Sequence, residues 1–262
     1  MARRPISGAR VLLTGASSGI GRALALELAR HGARLLLTAR REARLAELVT
    51  EIRAAGGDAE FVAGDITAAD LRQRLVERAR TQFGELDLLI NNAGIGGLGP
   101  FADADEARLR RIMEVNFFAP VELTRATLPL LRLGQRPMLV NVGSVLGHRA
   151  VPKKSEYCAS KFALHGFSDS LRAELATHGV DVLLVSPSTT DSEFFDHVLA
   201  DTPAPPTRKQ HSAMSPAAVA KKTVSAIRRG QHELILSPGG KLLVWLDRLF
   251  PTWMNQILAH WG

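Results

Sequence analysis

Three features of the sequence predict an α/β fold. Short apolar runs alternate regularly with longer segments of helical period, the runs are apolar at nearly every residue, and a glycine-rich turn separates the first run from the first helical segment. Such alternation builds a parallel sheet with helices on both faces. A strand buried on both faces needs apolar residues at successive positions, not at every second one.

The elements follow in order. RVLLTG (10–15) is the first strand, and IGRALALELARHG (20–32) the first helix, with Ile20, Leu24 and Leu28 at helical spacing and Gly32 as its stop. RLLLTA (34–39) is a strand, REARLAELVTEIRAAGG (41–57) a helix ended by a glycine pair, and AEFVAGD (59–65) the third strand. The helix at 67–84 takes Thr67 as its N-cap. LDLLINNAG (86–94) is a strand running into a loop, and a long helix over 104–133 is expected to kink near Pro120 and Pro129. PMLVNVGS (137–144) is a strand, 155–179 a long helix, VDVLLVSPS (180–188) a strand, 216–229 a helix and HELILS (232–237) a last short strand. No repeat, low-complexity tract or linker divides the chain. Residues 1–240 therefore read as one domain, with an amphipathic C-terminal appendage at 241–262.

Composition excludes several classes. With 262 residues, 46% of them hydrophobic, the chain can bury a sizeable core. Its single cysteine, Cys158, permits neither an intrachain disulfide nor a cysteine-based zinc site, and no metal site is expected. This fits a reducing compartment, and a cytoplasmic location is the expectation. The formal charge of +7 favours anionic partners. The basic residues are scattered over predicted helices with no nucleic-acid-binding module, so a phosphorylated cofactor is expected and nucleic acid is not. The apolar run near the N-terminus, Val11 to Leu13, is too short for a signal segment, and no stretch of 18 apolar residues offers a membrane span.

The turn TGASSGIG (14–21) joins the first strand to the first helix. Gly15, Gly19 and Gly21 allow a tight turn and close backbone approach, while Ser17, Ser18 and Ile20 lead into a helix N-terminus whose free N–H groups suit a pyrophosphate. A glycine turn alone can simply join two elements. In this position it completes the pattern of a Rossmann-type, doubly wound parallel sheet. At the end of the second strand, Thr38, Ala39, Arg40 and Arg41 include no carboxylate to select an unphosphorylated ribose. The Arg40 and Arg41 guanidinium groups suit a 2′-phosphate, which favours NADP(H) with NAD(H) as the alternative; they also read as the start of an exposed basic helix. Asp65, with Ile66 beside it, follows the third strand and is placed to accept from an adenine amino group. Asn92, Ala93 and Gly94 of NNAG (91–94) end the fourth strand, where ligands meet an open α/β sheet. Each of these taken singly also reads as a turn residue.

YCASK (157–161) places Tyr157 and Lys161 one helical turn apart on one face. Ser144 ends the preceding strand, and Asn116 sits inside a helix, where asparagine conflicts with local preference. In this order and spacing, TGASSGIG, NNAG, Asn116, Ser144 and YCASK closely resemble the classical short-chain dehydrogenase/reductase (SDR) family, over residues 8 to 195 or so. The resemblance implies an oxidoreductase that moves hydride between a nicotinamide cofactor and an alcohol or carbonyl compound. Tyr157 would be the acid/base. Lys161 would hold the nicotinamide ribose and lower the tyrosine pKa from its ordinary value of about 10. Ser144 would hydrogen-bond the reacting oxygen and Asn116 would anchor a water leading to Lys161. A homodimer or homotetramer is also implied. Cys158 reads as a packing residue. One departure stands out: the family's usual Pro-Gly after the sixth strand is Pro187-Ser188 here, so contact with the cofactor falls to Pro187 and to the hydroxyls of Thr189, Thr190 and Ser192.

The segment at about 188–215 is expected to cover the substrate. Phe194, Phe195, Val198 and Leu199 make it apolar, which favours an apolar ketone, aldehyde or secondary alcohol, unless these residues only pack beneath the lid. In the tail, Leu242, Leu246, Leu249, Trp253 and Ile257 recur at helical spacing across Pro251, with all three tryptophans and with Lys241 and Arg248 nearby. Packing onto the body or a second subunit explains such a segment, and so does peripheral contact with a membrane. Two rival functions follow: a non-catalytic NADP(H) sensor or scaffold, and a membrane-surface lipid, steroid or retinoid dehydrogenase.

Overall fold

The computed structural model describes residues 3–191, 199–200 and 213–260. Strands β1 (Arg10–Thr14), β2 (Arg34–Ala39), β3 (Asp58–Ala63), β4 (Leu88–Asn91), β6 (Met138–Val142), β7 (Asp181–Ser186) and β9 (Glu233–Ile235) form a seven-stranded sheet in the order β3-β2-β1-β4-β6-β7-β9. Every pairing is parallel. Strand order reverses between β1 and β4, so a ligand crevice opens at the C-terminal ends of these two strands. The expected Rossmann-type sheet is present.

Helices α1 (Gly19–Arg30), α2 (Glu42–Ala54) and α7 (Pro216–Arg229) cover one face, and α3 (Ala69–Phe83), α5 (Ala119–Leu131) and α6 (Ser155–Ala176) the other. Consecutive strand residues part company here. Leu13 and Leu37 join the first core with Leu24, Leu28 and Leu48, whereas Leu12 and Leu36 join the second with Leu71, Leu75 and Leu123. Each fully buried leucine contributes about 1.5–3 kcal/mol, which explains why the central strands β1, β2, β4, β6 and β7 are buried on both faces.

Four details differ from expectation. A second, two-stranded parallel sheet pairs β5 (Gly97–Leu98) with β8 (Leu199–Ala200). The long helix is divided into α4 (Glu106–Met113), a π-helical turn (Glu114–Phe118) and α5. Pro120 lies in the first turn of α5, where its missing N–H costs nothing, so the break falls before it. The N-cap of α3 is Ala68, because the Thr67 hydroxyl donates instead to Asp65 Oδ1 (2.8 Å). The tail forms α8 (Pro238–Leu249) and α9 (Pro251–Ala259), beginning three residues before the expected boundary. Its inward residues are Gly240, Val244 and Met254, while Leu242, Leu249 and Trp253 of the predicted stripe face out. No helix among the described residues is long and apolar enough to cross a membrane.

Candidate active site

The glycine turn is locked to the end of β4 by Thr14. Its Oγ1 accepts from the backbone N–H groups of Asn92 and Ala93 (both 3.0 Å), and Asn92 Nδ2 donates back to the carbonyls of Thr14 (3.0 Å) and Gly15 (3.2 Å). Gly15 has φ +69°, and a Cβ there would lie 2.8 Å from Ala93 Cα. A Cβ on Gly21 would run into the Gly15 carbonyl. Both glycines are thus demanded by the protein's own close packing. Gly19 and Ile20 open α1, whose N-cap, Ser18, has extended backbone and makes no side-chain cap; the first turn holds no acid. The N–H groups at this helix end suit an anion.

Arg41 lies over the turn, its Nε and Nη2 at 3.3 and 3.2 Å from Ser17 Oγ, and Arg40 is exposed at the end of β2. A tight turn, an uncapped helix start and two guanidinium groups fit a nicotinamide dinucleotide. Asp65 is engaged more than expected. Oδ1 accepts from Thr67 N and Oγ1, and Oδ2 from Arg111 Nη2 (2.7 Å). Burial raises its pKa, but these bonds outweigh that and lower it to about 2. Ile66 beside it is buried in the second core.

Across the crevice, the π-helical turn carries Asn116 inward, a backbone form found often at functional positions. Its Oδ1 accepts from Ile95 N, while Nδ2 donates to Ile95 O and to Ser160 Oγ, all at 2.9 Å. Ser160 Oγ in turn donates to the Tyr157 carbonyl (2.7 Å). The amide therefore bridges the loop following NNAG to α6. Lys161 Nζ donates to the Val142 carbonyl (3.0 Å), two residues before Ser144. Gly94 keeps this junction open: a Cβ there would stand 3.2 Å from Asn116 Oδ1 and 3.6 Å from Lys161 Nζ.

Ser144 caps a short 3-10 turn (Val145–Gly147), its Oγ accepting from Leu146 N (3.1 Å), and the Tyr157 hydroxyl hydrogen-bonds to the Ser144 side chain. Burial pushes the Tyr157 pKa up to about 12, with the Ser144 bond opposing. Burial also lowers that of Lys161 to about 8. Lys161 Nζ is 5.8 Å from the Tyr157 ring centroid, and desolvation is the larger effect on both groups. At neutral pH the pair is a protonated phenol beside an ammonium.

On the far side, the Pro187 carbonyl accepts from Val145 N (3.0 Å), and Thr190 Oγ1 donates to the Ser188 carbonyl (3.2 Å). Ser188, standing where the family has glycine, pairs its hydroxyl with that of Ser237 (3.1 Å), the N-cap of α8. The cofactor-side loop is thereby tied to the C-terminal helices. Ser192, Phe194, Phe195 and Val198 lie outside the described residues, as does most of the expected lid and Trp261.

Several contributors escaped the sequence reading. Thr14 and Ser160 lie within motifs already quoted, but their hydroxyls show a role only once partners are known. The buried pair of Arg108 with Glu156 (Nη2 to Oε1, 2.7 Å) fastens α4 to α6 beside Tyr157, and Arg111 engages Asp65; these span tens of residues and leave no local pattern.

Comparison with known proteins agrees with this geometry. The family model described as short chain dehydrogenase matches residues 9–202. An uncharacterised oxidoreductase, YxnA, of Bacillus subtilis is 32% identical over 95% of this chain and 70% of its own length. The ketoacyl reductase HetN of a Nostoc species is 33% identical, over 98% of this chain and 90% of its own. Among solved structures, a short chain dehydrogenase/reductase from Burkholderia phymatum in complex with NAD superposes with a TM-score of 0.85 at 28% identity, covering 94% of both chains. With the family model matching most of its length, this chain belongs to the short-chain dehydrogenase/reductase family of oxidoreductases.

Proposed function

We propose that this oxidoreductase moves hydride between NADP(H) and an apolar alcohol or carbonyl compound, working mainly as a reductase. The observation that carries the reading is the hydroxyl pair of Tyr157 and Ser144 beside the Lys161 ammonium, at the C-terminal edge of the sheet that also presents the glycine turn. When bound, the nicotinamide cofactor supplies the hydride. The chain supplies position and a proton. Ser144 Oγ holds the substrate oxygen as charge develops there. Tyr157, protonated at neutral pH, donates to that oxygen, and the phenolate left behind is stabilised by Lys161. Asn116 positions Ile95 and α6 so that these groups meet.

Arg40 and Arg41, with no carboxylate from 38 to 41, support the phosphorylated cofactor. The apolar substrate class rests on Phe194, Phe195, Val198 and Leu199. Reduction of a ketone is also what the name of the Nostoc relative suggests. A homodimer or homotetramer is supported by Leu109, Phe118 and Phe162, large apolar side chains exposed on adjoining helical segments. A second reading, peripheral membrane contact by α8 and α9, is favoured by the outward Leu242, Trp245, Leu249, Phe250 and Trp253, flanked by Lys241 and Arg248.

The test is an NADPH-consumption screen over ketones and aldehydes, including steroid, retinoid and acyl compounds, paired with fluorescence titration of NADPH and NADH. Turnover of at least one carbonyl is expected, with tighter NADPH binding that weakens about tenfold in Arg40→Ala, as for loss of one charged hydrogen bond. Equal affinity for both nucleotides contradicts the cofactor preference. Binding with no turnover across the panel favours a sensor or scaffold.

A further inference from the structure

We propose that His148, His165 and Glu233 form a binding site for a divalent transition-metal cation, with zinc as the best match. It lies behind the Ser144–Tyr157 pair and does not depend on the cofactor or substrate assigned above. The three residues come from separate elements. His148 follows the 3-10 turn after Ser144, His165 stands one helical turn beyond Lys161 on α6, and Glu233 begins edge strand β9. One ligand atom from each lies within 4.8 Å of the others, the only such grouping of histidine, cysteine and acidic residues among the described residues.

The observation that points to a ligand is the state of His148. Its side chain is only 2% exposed, and its Nδ1 is buried with no hydrogen-bond partner, 3.9 Å from Glu233 Oε1. A buried polar atom is normally satisfied, so an orphan of this kind asks for an explanation. The other ring nitrogen, Nε2, is 2.8 Å from Ser186 Oγ. That is the arrangement of a metal-ligating imidazole, with one nitrogen for the ion and the second fixed by a hydrogen bond that sets the ring's orientation. His165 repeats the scheme. Its Nδ1 faces the Gly147 carbonyl at 3.0 Å, and a carbonyl only accepts, so in the neutral ring the lone pair is on Nε2. The two rings sit 4.3 Å apart between centroids. Asp169 Oδ2, 3.3 Å from His165 Nε2, places a further carboxylate at the rim.

Two imidazoles and a carboxylate form a donor set suited to zinc and its neighbours; magnesium and calcium require oxygen ligands. Ligand atoms around a tetrahedral zinc stand about 3.3 Å apart, so the site must contract on binding. Glu233, partly exposed on the edge strand, has the freedom to move inward, and the same open side admits the ion and a water.

Untagged full-length protein is titrated with zinc in competition with a chromophoric chelator, and thermal unfolding is followed with and without the ion. One equivalent is expected to bind at micromolar or lower concentration and to raise the unfolding midpoint. Magnesium at a hundredfold excess is expected not to compete. Glu233→Gln, which removes one ligand from a partly exposed position and leaves the core intact, is expected to weaken binding at least tenfold, and His148→Ala to abolish it. His31→Ala, at an exposed histidine far along the chain, should change nothing. Absence of a saturable equivalent, or wild-type affinity in Glu233→Gln, overturns the proposal.

Discussion

The glycine turn and the C-terminal helices are attached to the body of the protein in different ways. At the cofactor end, the glycine turn, Thr14 and Asn92 interlock through backbone groups, and the glycines touch neighbouring main chain. In the C-terminal helices, α8 and α9 are secured mainly by side chains: Val244 and Met254 buried beneath, Ser237 paired with Ser188, and Arg149, which donates to Asp247 Oδ1 (2.7 Å) and Asn255 Oδ1 (2.6 Å). Their outer face carries large apolar residues in water, with Trp245 59% exposed. Backbone interlock leaves no room for variation and suits the part every dinucleotide shares. Side-chain attachment tolerates more change.

The sharpest break of this contrast is Gly21→Ala. The new Cβ meets a backbone carbonyl that cannot retreat, so denaturant unfolding should show a loss of about 3 kcal/mol or more, with nucleotide binding reduced in parallel. A loss under about 1 kcal/mol would show the turn to be adaptable. The next effect runs the other way. Lys161 has its folded-state pKa lowered from 10.5 to about 8, so the fold bears the cost of a buried charge below pH 8 and is relieved as pH rises toward 10.5. Wild-type stability without added nucleotide should increase across that window. Tyr157, raised from 10 to about 12, opposes it only above pH 10, where the unfolded chain loses phenolic protons first. Lys161→Met should abolish turnover yet stabilise the protein at pH 7 by about 1–2 kcal/mol, the relieved desolvation less the lost bond to Val142. Destabilisation there would mean that the charge is better solvated than its burial implies. Smallest of all, Trp245→Ala should shift stability by no more than about 0.5 kcal/mol. If α8 and α9 contact membranes, the same variant should lower liposome flotation; wild-type protein that never floats removes the membrane reading.

Legibility in the sequence follows the same division. The seven strands of the main sheet stand where their apolar runs place them, because burial on both faces writes itself into consecutive residues such as Leu12 and Leu13. The β5–β8 pair did not show, since two-residue strands have no period. Proline marked the long helix as interrupted, but the break took the form of a π-helical turn around Asn116, set by that amide's bonds to Ile95 and Ser160. The tail's helical stripe left open whether Leu242, Leu249 and Trp253 pack onto the body or face outward. Packing of Gly240 against Val145, almost a hundred residues away, turns them outward. In the site itself, Tyr157, Lys161, Ser144 and Asn116 were readable as a set. The depth of Tyr157 burial was not, because burial is a property of the assembled protein.

The central claim is that Tyr157 is the proton donor and Ser144 its partner at the substrate oxygen. Tyr157→Phe keeps the ring and removes only the hydroxyl, so it addresses that claim most directly. NADPH-dependent reduction of the best carbonyl from the screen should fall by about 10²–10⁴-fold, with the NADPH dissociation constant unchanged within about twofold. A variant that retains more than about a tenth of wild-type turnover would contradict the assignment.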